Sequence, residues 1–189
     1  GSGASLCAMD AGRSIATTMG FSTLDGLVMS TRCGALDPGI ILHLLQDRKL
    51  PPDELATLLY EQSGLLGVSG ISGDMRTLIG SDDPAAAEAV DLFVYRIGRE
   101  IGSLAAAMGG LDTLVFTAGI GEISTEVRHA TYAGLELLGL NLDEAANAKP
   151  TPDQDIATSG SQVRVLVIRA QEDWAIAREC WQLHRMTSD

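Results

Sequence analysis

The sequence predicts an α/β layer structure built on a mixed sheet, and three observations carry that prediction. Two short β-branched runs, TLVFT at 113–117 and VRVLVI at 163–168, each lead into a turn and then a helical pattern, the alternation expected of an α/β protein. A long stretch opening at Pro84 repeats apolar residues at threes and fours, namely Val90, Phe93, Val94, Ile97, Ile101, Leu104 and Met108, as one stripe on a single helix does. Near the start, SLCAMDAGRSIATTM at 5–19 holds two strand-like runs around Asp10-Ala11-Gly12, a hairpin turn signal.

The elements follow in order. Residues 20–40 are rich in glycine and turn residues and read as a long shaped loop with a short strand inside. A helix begins at Ile40 and stops before Pro51-Pro52. Pro52-Asp53-Glu54 opens the next and carries it to about Gln62, because proline and acidic residues suit a first helical turn. Gly64 to Gly73 reads as a glycine-punctuated connection. Ser81-Asp82-Asp83 before Pro84 starts the long helix. After the first buried strand, Ala118-Gly119-Ile120-Gly121-Glu122 reads as an exit turn. Ser124 or Thr125 caps a helix running to about Leu138. Residues 147–162 read as a surface connector, and a last helix runs from Glu172 to about His184.

The composition excludes several function classes. Asp plus Glu is 25 against 13 Lys plus Arg, a formal net charge of -12, which gives no support to a nucleic-acid or anionic-membrane surface. A local positive pocket for phosphate remains compatible with it. Charge or turn residues interrupt every apolar stretch, so no membrane-spanning run is found, and the start GSGASLCAMDAG lacks the pattern of a secretory signal. Cys7, Cys33 and Cys180 are odd in number and widely spaced, which argues against a zinc knuckle or disulfide scaffold and for a reducing, cytoplasmic location. With 46% hydrophobic residues, the chain has the composition of an ordered domain.

Five places could carry chemistry. Gly119-Ile120-Gly121 lies between a buried strand and a helix, where glycine lets backbone turn tightly and approach a ligand. Gly1-Ser2-Gly3 is either a cloning remnant or a second such cradle. Arg32, in Ser30-Thr31-Arg32-Cys33-Gly34, is either a solvated loop arginine or a fork for carboxylate or phosphate. Asp74-Met75-Arg76 either begins a short helix, capped by Ser72 or Asp74, or sets Arg76 flat against a nucleobase while Asp74 fixes a ribose or the loop. Glu172, at the start of the last helix, is either a helix-start acid or a magnesium ligand. Asp37-Pro38 shapes the loop or braces Arg32.

Taken together these motifs resemble the C-terminal half of the acetate kinase family, which includes propionate and butyrate kinases. The similarity runs from GSGASLCAMDAGRSIATTMGFSTLDGLVMSTRCGALDPG at 1–39, through SGISGDMR at 69–76 and VFTAGIGE at 115–122, to EDWAIARE at 172–179. The resemblance implies the ribonuclease-H-like fold of actin, sugar kinases and heat-shock ATPases, with residues 1–189 as the C-terminal nucleotide-binding domain and an N-terminal domain absent. It implies that Gly1, Ser2 and Gly3 form a phosphate loop and that Arg32 binds the acyl carboxylate or the transferring phosphoryl group. It further implies that Asp74, Met75 and Arg76 line an adenosine pocket, that Gly119, Ile120, Gly121 and Glu122 form a nucleotide loop, and that Glu172 serves Mg2+.

The implied reaction is reversible phosphoryl transfer from ATP to acetate, propionate or another short-chain carboxylate, giving ADP and an acyl phosphate, in a homodimer. The isolated chain is expected to bind nucleotide with little turnover. A propionate-preferring acyl kinase, a sugar-kinase or chaperone-like ATPase of the same fold class, and a non-catalytic nucleotide-binding or dimerisation module are the alternatives. Three departures from the family pattern stand out. Ser2 replaces an asparagine, Ile123 replaces the asparagine usual after GIGE, and Arg169-Ala170-Gln171 replaces Pro-Thr-Asn.

Overall fold

The structure, a computed structural model, describes residues 2–187; Gly1 lies outside them. The chain opens with an antiparallel hairpin, β1 (Cys7–Asp10) and β2 (Arg13–Thr17). Its turn is the one the sequence predicts. Ala11 and Gly12 both take positive φ, 48° and 78°, as a two-residue turn matched to strand twist requires. Residues between the hairpin and Asp37 form turns and bends. The short strand expected there is not among the described residues.

Helix α1 (Pro38–Gln46) starts before the predicted Ile40. Asp37 is its cap, accepting from Gly39 N at 2.8 Å, and Pro38 fills the first turn. The Asp37-Pro38 pair therefore serves the helix and does not brace Arg32. Helix α2 (Pro52–Glu61) follows as expected. The segment read as a connection contains helix α3 (Gly64–Ser69). Its amides bond outside the helix, with Leu65 N donating to Met29 O at 2.9 Å and Leu66 N to Ser30 O at 3.0 Å. Long-range pairing thus holds a helix whose glycines give it little intrinsic propensity.

Helix α4 (Met75–Ile79) leads to α5 (Pro84–Met108), capped by Asp83. The face α5 buries is Ala86, Ala89, Phe93, Ile97, Ile101 and Ala105. The predicted stripe lies along this face, with Val90, Val94, Leu104 and Met108 half-buried at its margins. Helices α3 and α4 and the hairpin pack against α5. Truncating Phe93 would cost about 3–5 kcal/mol.

Strand β3 (Thr113–Thr117) pairs in parallel with β5 (Arg164–Ile168), and the two-residue β4 (Gln154–Asp155) pairs antiparallel with β5, so the order is β3-β5-β4 and the sheet is mixed. Val163, Val165 and Val167 alternate into the core. Between β3 and β5 run α6 (Ala118–Ile123), α7 (Thr125–Ala133), a 3-10 turn at Glu136–Leu138 and α8 (Glu144–Ala148). The predicted exit turn is therefore a short helix, and the helix expected to reach Leu138 stops at Ala133. The connector is structural rather than superficial. Ile156 and Asn147 within it are fully buried, and Ile156 N donates to Val165 O at 2.7 Å. Helix α9 (Glu172–Thr187) closes the order. Among the described residues no helix is long and apolar enough to cross a membrane.

Candidate functional site

Two clefts meet at the carboxyl ends of β3 and β5. The first, of about 620 Å³, lies between the start of α4 and the glycine turn; Ser2, Gly3, Asp74, Arg76, Ile120 and Ile123 are on its walls, with Met75 and Phe93 at its base. The second, of about 660 Å³, is lined by Glu122, Arg169, Ala170, Gln171, Glu172, Asp173 and Trp174. Gly119 borders both. A Cβ built on Gly119 meets nothing within 4 Å, and its φ is not in the left-handed region. The fold itself does not need glycine at this position. What the glycine provides is a bare backbone ridge between two open spaces.

Asp74 plays the capping part the sequence offered. Its Oδ1 accepts from Arg76 N at 2.9 Å and from Arg76 Nε at 3.1 Å, while Oδ2 accepts from Nη2 at 2.6 Å. The Arg76 guanidinium holds the Asp74 carboxyl at about 2, well below the usual carboxylate range. The cap fixes Asp74, and Asp74 holds a planar, exposed guanidinium at the cleft mouth. Gly73 lets this segment close on its neighbour, since a Cβ there would fall 2.3 Å from Ser30 Oγ.

The loop carrying Arg32 is pinned by backbone. Ser63 N donates to Thr31 O and Cys33 N to Leu59 O, at 2.9 and 3.1 Å. Thr31 Oγ1 donates to Tyr60 O at 2.7 Å. Gly64, at φ 62°, fits beneath it where a Cβ would strike Met29 O at 2.3 Å. Arg32 is half-buried, donates to Thr23 O at 3.2 Å, and stands beside Gly3 rather than on the wall of either cleft.

The glycine turn is held from two sides by groups with different visibility in the sequence. Glu122 is not a free carboxylate. Its Oε1 accepts from Ala118 N at 2.7 Å and from Ala170 N at 2.8 Å, joining the turn after β3 to the turn after β5. Ala118 itself takes φ 57°, at a cost of about 1–2 kcal/mol for a residue with a Cβ. From behind, Arg128 is fully buried. Its Nη1 donates to Gly121 O and Glu122 O, both at 2.9 Å, its Nε to Asn147 Oδ1 at 2.8 Å and its Nη2 to Asn147 O at 2.9 Å. Burial pushes the Arg128 guanidinium below its ordinary value, and its partners among these bonds are neutral oxygens. Sequence reasoning missed Arg128 and Asn147. Within EVRHATYA the one signal that Arg128 is buried is its place on the side of α7 that also buries Val127 and Thr131.

Glu172 is exposed on the second cleft, with Asp173 next to it. Among the described residues there is no group of three or more His, Cys, Asp or Glu side chains able to hold a metal. Glu172 with its neighbour Asp173, and no third such ligand among the described residues, fits magnesium that arrives on phosphate oxygens and keeps most of its waters; the pair does not fit a resident ion in a protein cage.

Comparison with known proteins follows this geometry. The sequence model of the acetokinase family matches residues 1–178. An acetate kinase of Rhodopseudomonas palustris (strain TIE-1) is 56% identical over 183 residues, covering 97% of this chain and 46% of that protein. One from Microcystis aeruginosa is 51% identical over 186 residues, with 97% and 46% covered. Among solved structures, Porphyromonas gingivalis acetate kinase superposes with a TM-score of 0.89 at 34% identity, over 94% of this chain and 46% of that one. A propionate kinase from Francisella tularensis gives 0.83 at 34% identity, over 90% and 44%. The chain spans about half the length of the curated relatives it matches. These likenesses place its mixed sheet and flanking helices in the actin-like, sugar-kinase and heat-shock ATPase fold class.

Proposed function

This chain belongs to the acetokinase family, and from that premise we propose that it is the nucleotide-binding C-terminal half of a cytoplasmic, homodimeric kinase. The kinase transfers the γ-phosphoryl group of ATP to acetate or another short-chain carboxylate. The observation that carries this reading is the bare ridge at Gly119 between two clefts of nucleotide-compatible size. The base and ribose occupy the first cleft, between Ile123 and the Asp74-braced Arg76. The phosphates cross Gly119, where no side chain stands, toward Glu172.

The acceptor carboxylate is ionised at neutral pH and needs no general base, so the protein's task is to position reactants and offset charge. Arg32 is the cation for that task on this chain. Its guanidinium, beside Gly3, holds the acyl carboxylate or the phosphoryl oxygens as charge shifts from donor to acceptor. Ser2 and Gly3 border the phosphate path with a short side chain and none. Glu172 holds the magnesium-bearing end of the nucleotide. Magnesium carried in with the nucleotide would supply positive charge that offsets phosphate repulsion of the incoming anion. A preceding domain supplies the remaining acyl contacts.

Steady-state assays on the full-length protein test this. With MgATP it should phosphorylate acetate or propionate and leave sugars and other hydroxyl acceptors untouched. Arg32→Ala should lower kcat by about 10²–10³-fold while nucleotide affinity changes little. Phosphorylation of hydroxyl acceptors in preference to carboxylates would overturn the reading.

A further inference from the structure

The family resemblance implies that Glu122 belongs to a nucleotide loop, and its geometry gives it a further role. We infer that Glu122 is a positioning residue, a clasp that joins the turns after β3 and β5 and so fixes Glu172 relative to the Gly119 ridge. One carboxylate oxygen accepts two backbone N–H groups at 2.7 and 2.8 Å, from Ala118 and Ala170. Ala118 is the residue before the ridge, and Ala170 lies two residues before Glu172. The separation of ridge and glutamate is therefore spanned by one side chain.

The local backbone shows what the clasp does. Ala118 sits at φ 57°, a conformation an alanine keeps only when its surroundings impose it. The N–H bond to Glu122 is one such constraint, and the Arg128 bonds to Gly121 O and Glu122 O anchor the base from which Glu122 reaches. A half-buried carboxylate pointed at a polyphosphate would repel it. Committing the oxygen to two amide dipoles offsets that charge and turns it to structural use. The required property is an acceptor of the right length, and the negative charge is incidental.

This distinguishes three substitutions. Glu122→Gln keeps a carbonyl oxygen at the same distance, able to accept both bonds. Glu122→Asp keeps the charge but is one methylene too short to reach both amides. Glu122→Ala removes the acceptor. The link to magnesium rests on the reading of Glu172 proposed above; the clasp itself does not.

The test uses the full-length protein and two readouts: hydrogen exchange at the amides of Ala118 and Ala170, and the magnesium concentration that half-saturates ADP binding in calorimetry. Glu122→Ala and Glu122→Asp should each speed exchange at both amides about tenfold or more and raise the half-saturating magnesium several-fold. Glu122→Gln should keep both within about threefold of the parent. Unchanged exchange in the Asp variant would overturn the clasp. A Gln variant as impaired as Ala would also overturn it, since charge rather than reach would then matter. Glu172→Gln is the control. If it leaves the magnesium requirement unmoved, the magnesium reading of Glu172 fails, while the exchange data still decide the clasp.

Discussion

The turns after β3 and β5 occupy equivalent places in the fold, side by side at the ends of paired parallel strands, yet they are held very differently. After β3, the chain is gripped by buried Arg128 from behind and by Glu122 from the front, and Ser124 caps the next helix by accepting from Val127 N at 3.2 Å. After β5, Arg169 N donates to Asp153 Oδ1 at 3.2 Å and Ala170 N to Glu122. Helix α9 then leaves Trp174 and Trp181 61% and 59% exposed, with Arg178 and Arg185 stacked over their rings. A strand, a turn and a helix therefore do not by themselves make a rigid ligand loop. Buried polar partners do, and here they are concentrated on the turn after β3.

The largest effect should come from removing the buried grip. Arg128→Met leaves the carbonyls of Gly121, Glu122 and Asn147 and the Asn147 amide oxygen without their donor, and should cost about 3–5 kcal/mol. The matched change after β5, Arg178→Met, alters an exposed ring contact and should stay within about 0.5 kcal/mol. Urea unfolding of both variants of the full-length protein checks the contrast. Equal losses would break it.

A second effect is electrostatic. The Asp74 carboxyl is held down to about 2 by the Arg76 guanidinium. A depressed carboxylate contributes stability that is fully present above its unfolded value near 3.8 and is lost as pH falls through the folded value. The Asp74–Arg76 pair should therefore persist at pH 3 and open only near pH 2. In an NMR titration, Arg76→Ala should return the Asp74 midpoint toward 3.8; an unmoved midpoint would assign the depression to the helix cap alone.

The smallest effect sharpens the account of strain. Ala118→Gly removes the Cβ that opposes φ 57° and should raise stability by up to about 1 kcal/mol, read as a small increase in Tm. A loss of stability would mean that the left-handed backbone is not strained at this site.

Much of this architecture was legible in the sequence because its signals are local. The hairpin turn at Ala11-Gly12, the α5 stripe and the strands at 113–117 and 164–168 depend on period and turn chemistry within a few residues. What escaped depends on distant partners. Helix α3 is hidden by Gly64 and Gly67 and is held by the carbonyls of Met29 and Ser30. Ile156 sits in a polar stretch and becomes interior only when β4 beside it pairs with β5. At the site, the motifs located the Asp74–Arg76 pair and the glycine turn. The division into two clefts, the stance of Arg32 beside Gly3 and the buried Arg128–Asn147 network are products of folding that no spacing rule encodes.

The central claim is that the cleft between Arg76 and the Gly119 ridge is a nucleotide site. Magnesium-dependent ADP and ATP calorimetry on the full-length protein and its Arg76→Ala variant tests it most directly. Binding by the parent, weakened about tenfold or more by the substitution, is the result the account predicts. Equal affinity in both proteins would place the nucleotide elsewhere and contradict it.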